Sequence, residues 1–86
     1  MNSKTHSRFW TCFRTLPAPI QRMAAAKFRL WQHEPFHPSL RFKELADGLW
    51  SARITRGYRA LARRNGDLVV WFWIGTHEDY NRLVSK

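Results

Sequence analysis

The polar residues best placed to do chemistry stand at the end of an apolar run. Leu68-Val69-Val70-Trp71-Phe72-Trp73-Ile74 leads directly into Gly75-Thr76-His77-Glu78-Asp79-Tyr80. An unbroken stretch of β-branched and aromatic residues reads as a strand buried on both faces. Titratable groups that follow it therefore sit at the tip of a buried central strand. Gly75 lets the chain turn, and Thr76 caps a following helix, with Thr76-x-x-Asp79 at capping-box spacing. His77 and Tyr80 then lie three apart on one helix face, aimed at whatever the strand end faces.

A second group of candidates comes from the hairpins that precede this strand. Asn65-Gly66 signals a two-residue loop. That register pairs Arg64 with Asp67 and sets Ala62 opposite Val69, Ala60 opposite Trp71 and Tyr58 opposite Trp73. On the other face it puts Leu61 beside Val70 and Arg59 beside Phe72. A three-residue turn, Thr55-Arg56-Gly57, pairs Ile54 with Tyr58 and so sets Arg53 opposite Arg59. Like charges directly across a strand pair repel, so an anion is expected between them. Phosphate suits a guanidinium fork, and Phe72 is placed to stack on a base. The alternative is that the arginines are solvated or paired with Glu44 or Asp67.

These residues need a scaffold, and the pattern supplies one. Phe9, Trp10, Phe13 and Leu16 recur at helical spacing between Ser7 and Leu16. Pro17-Ala18-Pro19 breaks the pattern and opens a second helix. Its stripe is Ile20, Met23, Ala24, Phe28, Leu30 and Trp31, and it ends at Glu34-Pro35. After Pro38 the period changes from about 3.6 to 2. Leu40, Phe42 and Leu45 alternate with Arg41 and Lys43, followed by a turn at Ala46-Asp47-Gly48. Trp50, Ala52 and Ile54 then alternate with Ser51, Arg53 and Thr55. The expected fold is α+β in a single domain over residues 1–86. An N-terminal helical hairpin packs on a twisted, three- or four-stranded antiparallel sheet, and a short helix from His77 to about Val84 closes the chain. The helices cover Trp50, Ala52, Ile54, Tyr58, Ala60, Trp71 and Trp73, leaving Arg53, Arg59 and Phe72 on the open face.

Composition narrows the partners. The 86 residues carry a formal net charge of +9 and a pI near 11.2, which draws such a domain to polyanions, nucleic acid first. A single cysteine, Cys12, cannot form an internal disulfide and fits a reducing cytoplasm. The N-terminus lacks the apolar segment of a signal peptide, and no stretch is long enough to cross a membrane. Cys12 and the four histidines do not fall in zinc spacing, and there is no Gly-rich phosphate loop, so no metal or cofactor is expected. His37, between prolines, reads as a loop-packing residue.

The strings His37-Pro38-Ser39-Leu40-Arg41-Phe42-Lys43, Trp50-Ser51-Ala52-Arg53-Ile54, Tyr58-Arg59-Ala60-Leu61 and Ile74-Gly75-Thr76-His77-Glu78-Asp79-Tyr80, in this order, resemble a RelE/ParE-superfamily toxin of bacterial type II toxin–antitoxin systems. The resemblance spans nearly the whole chain. It implies a small basic ribonuclease that cuts messenger RNA, usually on the ribosome, or, in the ParE branch, a protein that poisons DNA gyrase. An inactive homologue that only binds its antitoxin is a third outcome. Carried over by position, Arg59 matches the phosphate-binding arginine of the Tyr-Arg strand. Arg53 matches a basic residue on the strand before, and His77 a histidine at the end of the last strand. Tyr80 roughly matches a C-terminal aromatic. In this reading Arg59 and Arg53 clamp the developing charge, His77 is base or acid, and Tyr80 orients the nucleotide. Arg41, Lys43, Arg56 and Phe72 are the expected RNA contacts. The implied stable partner is an acidic antitoxin, through which alone operator DNA would be bound. Three departures stand out: Ser51 replaces a basic residue, Tyr80 comes one position early, and the usual N-terminal strand is absent or very short.

Overall fold

The structure is a computed structural model and describes residues 1–85. Five strands form one sheet in the order β1-β5-β4-β3-β2. They are β1 (Asn2–Thr5), β2 (Lys43–Ala46), β3 (Leu49–Thr55), β4 (Tyr58–Asn65) and β5 (Leu68–Thr76). Helices α1 (Ser7–Arg14) and α2 (Ala18–His33) separate β1 from β2, and α3 (His77–Val84) closes the chain. The α+β class, the helical hairpin and the terminal helix match the expectation. The sheet is wider than expected by one strand.

That strand is β1, and it runs parallel to β5 from Asn2↔Leu68 to Thr5↔Trp71. Asn-Ser-Lys-Thr has no apolar alternation to announce it, because it is an edge strand exposed on nearly every residue. It is held by its backbone: Asn2 N–H donates to the Asp67 carbonyl at 2.9 Å, and His6 N–H to that of Trp71 at 2.8 Å.

Each helix boundary has a local cause. His6 caps α1 by accepting from the Arg8 N–H at 3.0 Å. Pro17 and Pro19 sit where helix donors have no partners in any case. Pro35 biases Glu34 out of the helical region and stops α2. Helix α2 buries Ala24 and Trp31, whereas Met23 and Phe28, expected on the buried stripe, stay 43% and 37% exposed. The ring of Phe28 stacks on Trp31 from outside, with centroids 5.9 Å apart.

The core lies between these helices and one sheet face. It gathers Ala24, Trp31, Leu40, Phe42, Ala52, Ile54, Ala60, Ala62, Val69, Trp71 and Ile74. Trp31 meets Trp71 and Phe42 edge-on, at 5.3 and 5.7 Å between centroids. Alanines from β3 and β4 make room for these rings, the small-opposite-large logic expected from sequence, though with different partners.

The partners differ because the β4–β5 register differs. Asn65 pairs with Leu68, so the loop is Gly66-Asp67 and not Asn65-Gly66. Gly66 alone in this loop has positive φ, +60°, the requirement of a turn with glycine first. A bulge between Leu61 and Ala62 then sets Leu61 opposite Trp73 while Ala62 stays opposite Trp71, leaving Phe72 as the extra residue. One extra residue reverses the side-chain parity. Ile74 therefore enters the core in place of Trp73, and Arg59 lies opposite Gly75, not Phe72. The β2 strand also begins later than expected, because Pro38–Leu40 forms a 3-10 turn capped by His37.

Two glycines test this backbone account. Gly66 has positive φ with open space around it, whereas Gly57 lacks positive φ and also meets nothing within 4 Å. Gly57→Ala should stabilise the protein by about 0.4–1 kcal/mol, and Gly66→Ala should destabilise it by more than that. In thermal unfolding these are opposite Tm shifts of several degrees. Equal shifts would contradict the assigned turn.

Candidate functional site

The site is built on the sheet face away from α1 and α2. Arg53 on β3 lies directly across from Arg59 on β4, and Ser51 lies across from Leu61 and, on its other side, Lys43 of β2. Helix α3 joins this face at its first turns. Thr76 Oγ1 accepts from the Asp79 N–H at 3.1 Å, which fixes where the helix starts. The His77 N–H donates to the Gly57 carbonyl at 2.8 Å, tying that start to the turn that carries Arg56. Arg41, Lys43, Ser51, Arg53, Arg59, His77 and Tyr80 together line a cavity of about 130 Å³. That is room for about four waters or one phosphate group.

Its electrostatics are one-sided. Four cations, Arg41, Lys43, Arg53 and Arg59, line the cavity without a carboxylate among the lining residues. Burial, and then the Arg53 charge, hold the Arg59 guanidinium below its ordinary pKa; Tyr80 counters this in part and Arg41 adds to it. Arg59 Nη1 donates to the carbonyls of Thr55 at 2.7 Å, Tyr58 at 3.0 Å and Arg56 at 3.3 Å. One arm of the fork is thus anchored, and the guanidinium keeps other donors for a ligand. Neither acid considered as a partner for the arginines serves as one. Glu44 accepts from the Gly48 N–H at 3.0 Å, and Asp67 lies 3.9 Å from the N-terminal amine. Glu78 and Asp79 both face Arg82.

Arg41 enters the site through a strained backbone. It is the one non-glycine among the described residues with positive φ, 46°. That conformation costs roughly 1–2 kcal/mol for a side-chain-bearing residue. Arg41 ends the Pro38–Leu40 turn, donating its N–H to the Pro38 carbonyl at 3.3 Å.

His77 and Tyr80 lie with ring centroids 5.7 Å apart, as their three-residue spacing requires. Tyr80 is only 9% exposed, whereas His77 is half-buried. Asn81 Nδ2 approaches His77 Nδ1 at 3.3 Å. With that amide donating, Nδ1 is the acceptor, and a neutral ring carries its proton on Nε2.

Six of the eight candidate residues converge: Arg41, Lys43, Arg53, Arg59, His77 and Tyr80. Two do not. Arg56 is exposed in the turn and offers its carbonyl to Arg59. Phe72 stands at the bulge with the Arg63 guanidinium 6.0 Å from its ring centroid, because the register carries it away from Arg59. Asn81 and the site role of Ser51 were missed. The i,i+4 spacing of Asn81 from His77 was the available signal.

Among the described residues no group of three or more His, Cys, Asp or Glu could hold a metal, and no helix is long and apolar enough to cross a membrane. A second, larger cavity of about 360 Å³ lies on the helix side. It is mostly apolar, with Lys4, Lys27 and Arg29 among its lining residues.

The same arrangement of helices and sheet recurs in solved toxins. The archaeal RelE–RelB complex of Pyrococcus horikoshii OT3 matches with a TM-score of 0.70 at 17% identity, covering 87% of this chain and 92% of that one. The RelB–RelE antitoxin–toxin complex of Methanococcus jannaschii matches at 0.74 and 13%, covering 92% and 95%. YafQ of E. coli matches at 0.70 and 12%, covering 92% and 96%. At these identities the likeness is one of fold. No curated protein sequence matches. The model of the ParE-like toxin domain matches residues 18–82, from the start of α2 to the last turn of α3. The chain therefore belongs to the ParE-like toxin domain family.

Proposed function

We propose that this protein is the toxin of a type II toxin–antitoxin pair and a metal-independent endoribonuclease acting on messenger RNA in the cytoplasm, with the ribosome presenting the substrate. The observation that carries this reading is the cavity: four cations, a histidine and a tyrosine around a space of phosphate size, with no lining carboxylate. Cleavage without metal needs stabilisation of the phosphorane charge and a proton for the departing 5′-oxygen. Arg59 and Arg53 supply the first, with Arg41 and Lys43 beside them. His77 supplies the second as an imidazolium, donating from Nε2 and returning to the neutral ring, with its Nδ1–H turned to the Asn81 amide oxygen. Tyr80, held in the wall beside them, orients the nucleotide. With no lining carboxylate to take it, the 2′-hydroxyl proton passes to solvent water, and charge stabilisation carries most of the rate.

The partner in this reading is an acidic antitoxin. Two of the fold relatives are described as complexes of RelE with RelB. The helix-side groove, apolar with Lys4, Lys27 and Arg29 around it, suits an amphipathic acidic segment. The family model's ParE label favours a second reading, in which the protein poisons gyrase by binding and cuts no RNA.

Expression of the protein should shorten transcripts, and Arg59→Ala or His77→Ala should cut cleavage by roughly 10²–10³-fold while circular dichroism stays native. A DNA-damage response with intact transcripts would select the gyrase reading instead. If both variants arrest growth as strongly as the parent, the site is misassigned.

Anions should stabilise the fold. Phosphate at ten times its Kd adds about 1.4 kcal/mol, several degrees in Tm for a chain of this size. Arg53→Gln relieves the cross-strand repulsion, so it should raise Tm without phosphate and shrink the phosphate effect. A Tm indifferent to phosphate at constant ionic strength would contradict the anion site.

Arg41→Gly relaxes the left-handed backbone and should raise stability by up to about 1–2 kcal/mol. It should also weaken RNA binding, since a lining cation is lost. A variant that gains no stability would show that the strain is absent in solution.

A further inference from the structure

We propose that Trp73 is the base-stacking residue of this site: a nucleotide whose phosphate occupies the Arg53/Arg59 cavity lays its base on the indole. The inference rests on the RNA reading above and extends it to a residue outside the cavity lining.

The bulge at Phe72 is the first support. Val69, Trp71 and Ile74 enter the core, so Trp73 faces the other side of the sheet, directly across from Leu61. The second support is Gly75. A Cβ built there would lie 2.5 Å from Trp73 Cζ2 and 2.9 Å from Cη2. The six-membered ring of the indole therefore occupies the place where a side chain at Gly75 would stand. Gly75 is the cross-strand partner of Arg59. The indole thus flanks Arg59 on the side away from Arg53, at the strand end that leads into His77. Third, Trp73 is only half-buried, unlike the core tryptophans Trp31 and Trp71.

The other tryptophans are otherwise engaged. Trp31 and Trp71 are core residues, Trp50 carries the Arg64 guanidinium 4.7 Å from its ring centroid, and Trp10 donates its indole N–H to Thr5 Oγ1 at 3.0 Å. Adjacent strands lie about 5 Å apart, comparable to the distance from a backbone phosphate to its base. A π face beside a cationic groove is how single strands are held without reading base edges. This role explains why β5 has glycine at position 75, where any side chain would push the indole off Arg59.

The test uses the full chain and a short RNA with 2′-O-methyl groups, which binds without being cut, alongside the same oligonucleotide carrying an abasic position. Trp73→Ala should weaken binding of the intact RNA by roughly ten- to a hundred-fold. It should leave abasic binding near the parent value. Trp73→Phe should restore most of the affinity, and Gly75→Ala should lower it by displacing the ring. In the parent, the Trp73 indole N–H resonance should shift with intact RNA and stay in place with inorganic phosphate. Equal RNA affinity of parent and Trp73→Ala, or equal losses for intact and abasic RNA, would overturn the proposal while leaving the RNA reading standing. An unmoved Trp73 resonance in an RNA-bound parent would overturn it without any variant. A parent that binds neither oligonucleotide would sink both readings.

Discussion

Strand β5 is paired along both edges, parallel to β1 and antiparallel to β4, and it carries side chains that must be accommodated on both faces. Its extra residue at Phe72 decides which side chain goes where. Up to Trp71 the odd positions face the helices; beyond the bulge Ile74 does, and Trp73 and Gly75 turn to the cationic face. Without the bulge, Trp73 would compete with Trp71 for core volume and Ile74 would sit beside Arg59. The same strand end sets the start of α3, because Tyr58 pairs with Thr76 and the His77 N–H bonds the Gly57 carbonyl. Core, hairpin and imidazole are thereby fixed relative to one another by a single strand.

That dependence explains what could be read from sequence. Arg53 opposite Arg59 was legible even though the turn was not. A three-residue loop and a two-residue loop followed by a one-residue bulge at Ile54 displace the strands equally, so the pairing survived an incorrect turn. His77 and Tyr80 were legible because Thr76 marks the helix start and the spacing does the rest. The β4–β5 register was not. Two residues of difference at Asn65-Gly66 preserve parity, but the bulge reverses it. In a run of seven apolar residues no polar residue marks the phase at which the reversal occurs. Phe72 was lost to the site for that reason, and Trp73 was hidden among the expected core residues for the same one. Strand β1 was invisible because a polar edge strand is held by backbone hydrogen bonds, which leave no side-chain signature.

The two faces of the sheet divide the packed core from the cationic candidate site. On one side, aromatic rings from α2, the residue before β2, β3 and β5 pack in contacts of about 4.7 to 6.1 Å between centroids. A chain of 86 residues has a small core, to which Leu40, Ile54, Val69, Ile74 and four alanines also contribute. Its margin is thin, since the indole N–H groups of Trp31 and Trp71 are buried without a hydrogen-bond partner among the described residues, at about 1–3 kcal/mol each. On the other side sit terms that oppose folding: an arginine pair across two strands, a partly desolvated guanidinium and a left-handed Arg41.

The first two of these unfavourable terms share one remedy. A phosphate group in the cavity screens Arg53 from Arg59, gives the desolvated guanidinium a counter-charge, and occupies the space toward which the strained Arg41 is directed. A carboxylate from the protein itself would do the first two permanently and leave no site. The acids that could have served are held elsewhere, Glu44 by the Gly48 amide and Glu78 and Asp79 by Arg82. The repulsion is therefore maintained by the fold and relieved only by a ligand. Under the proposed function such an arrangement would favour concentrated negative charge most, as on the pentacoordinate phosphorus of RNA cleavage.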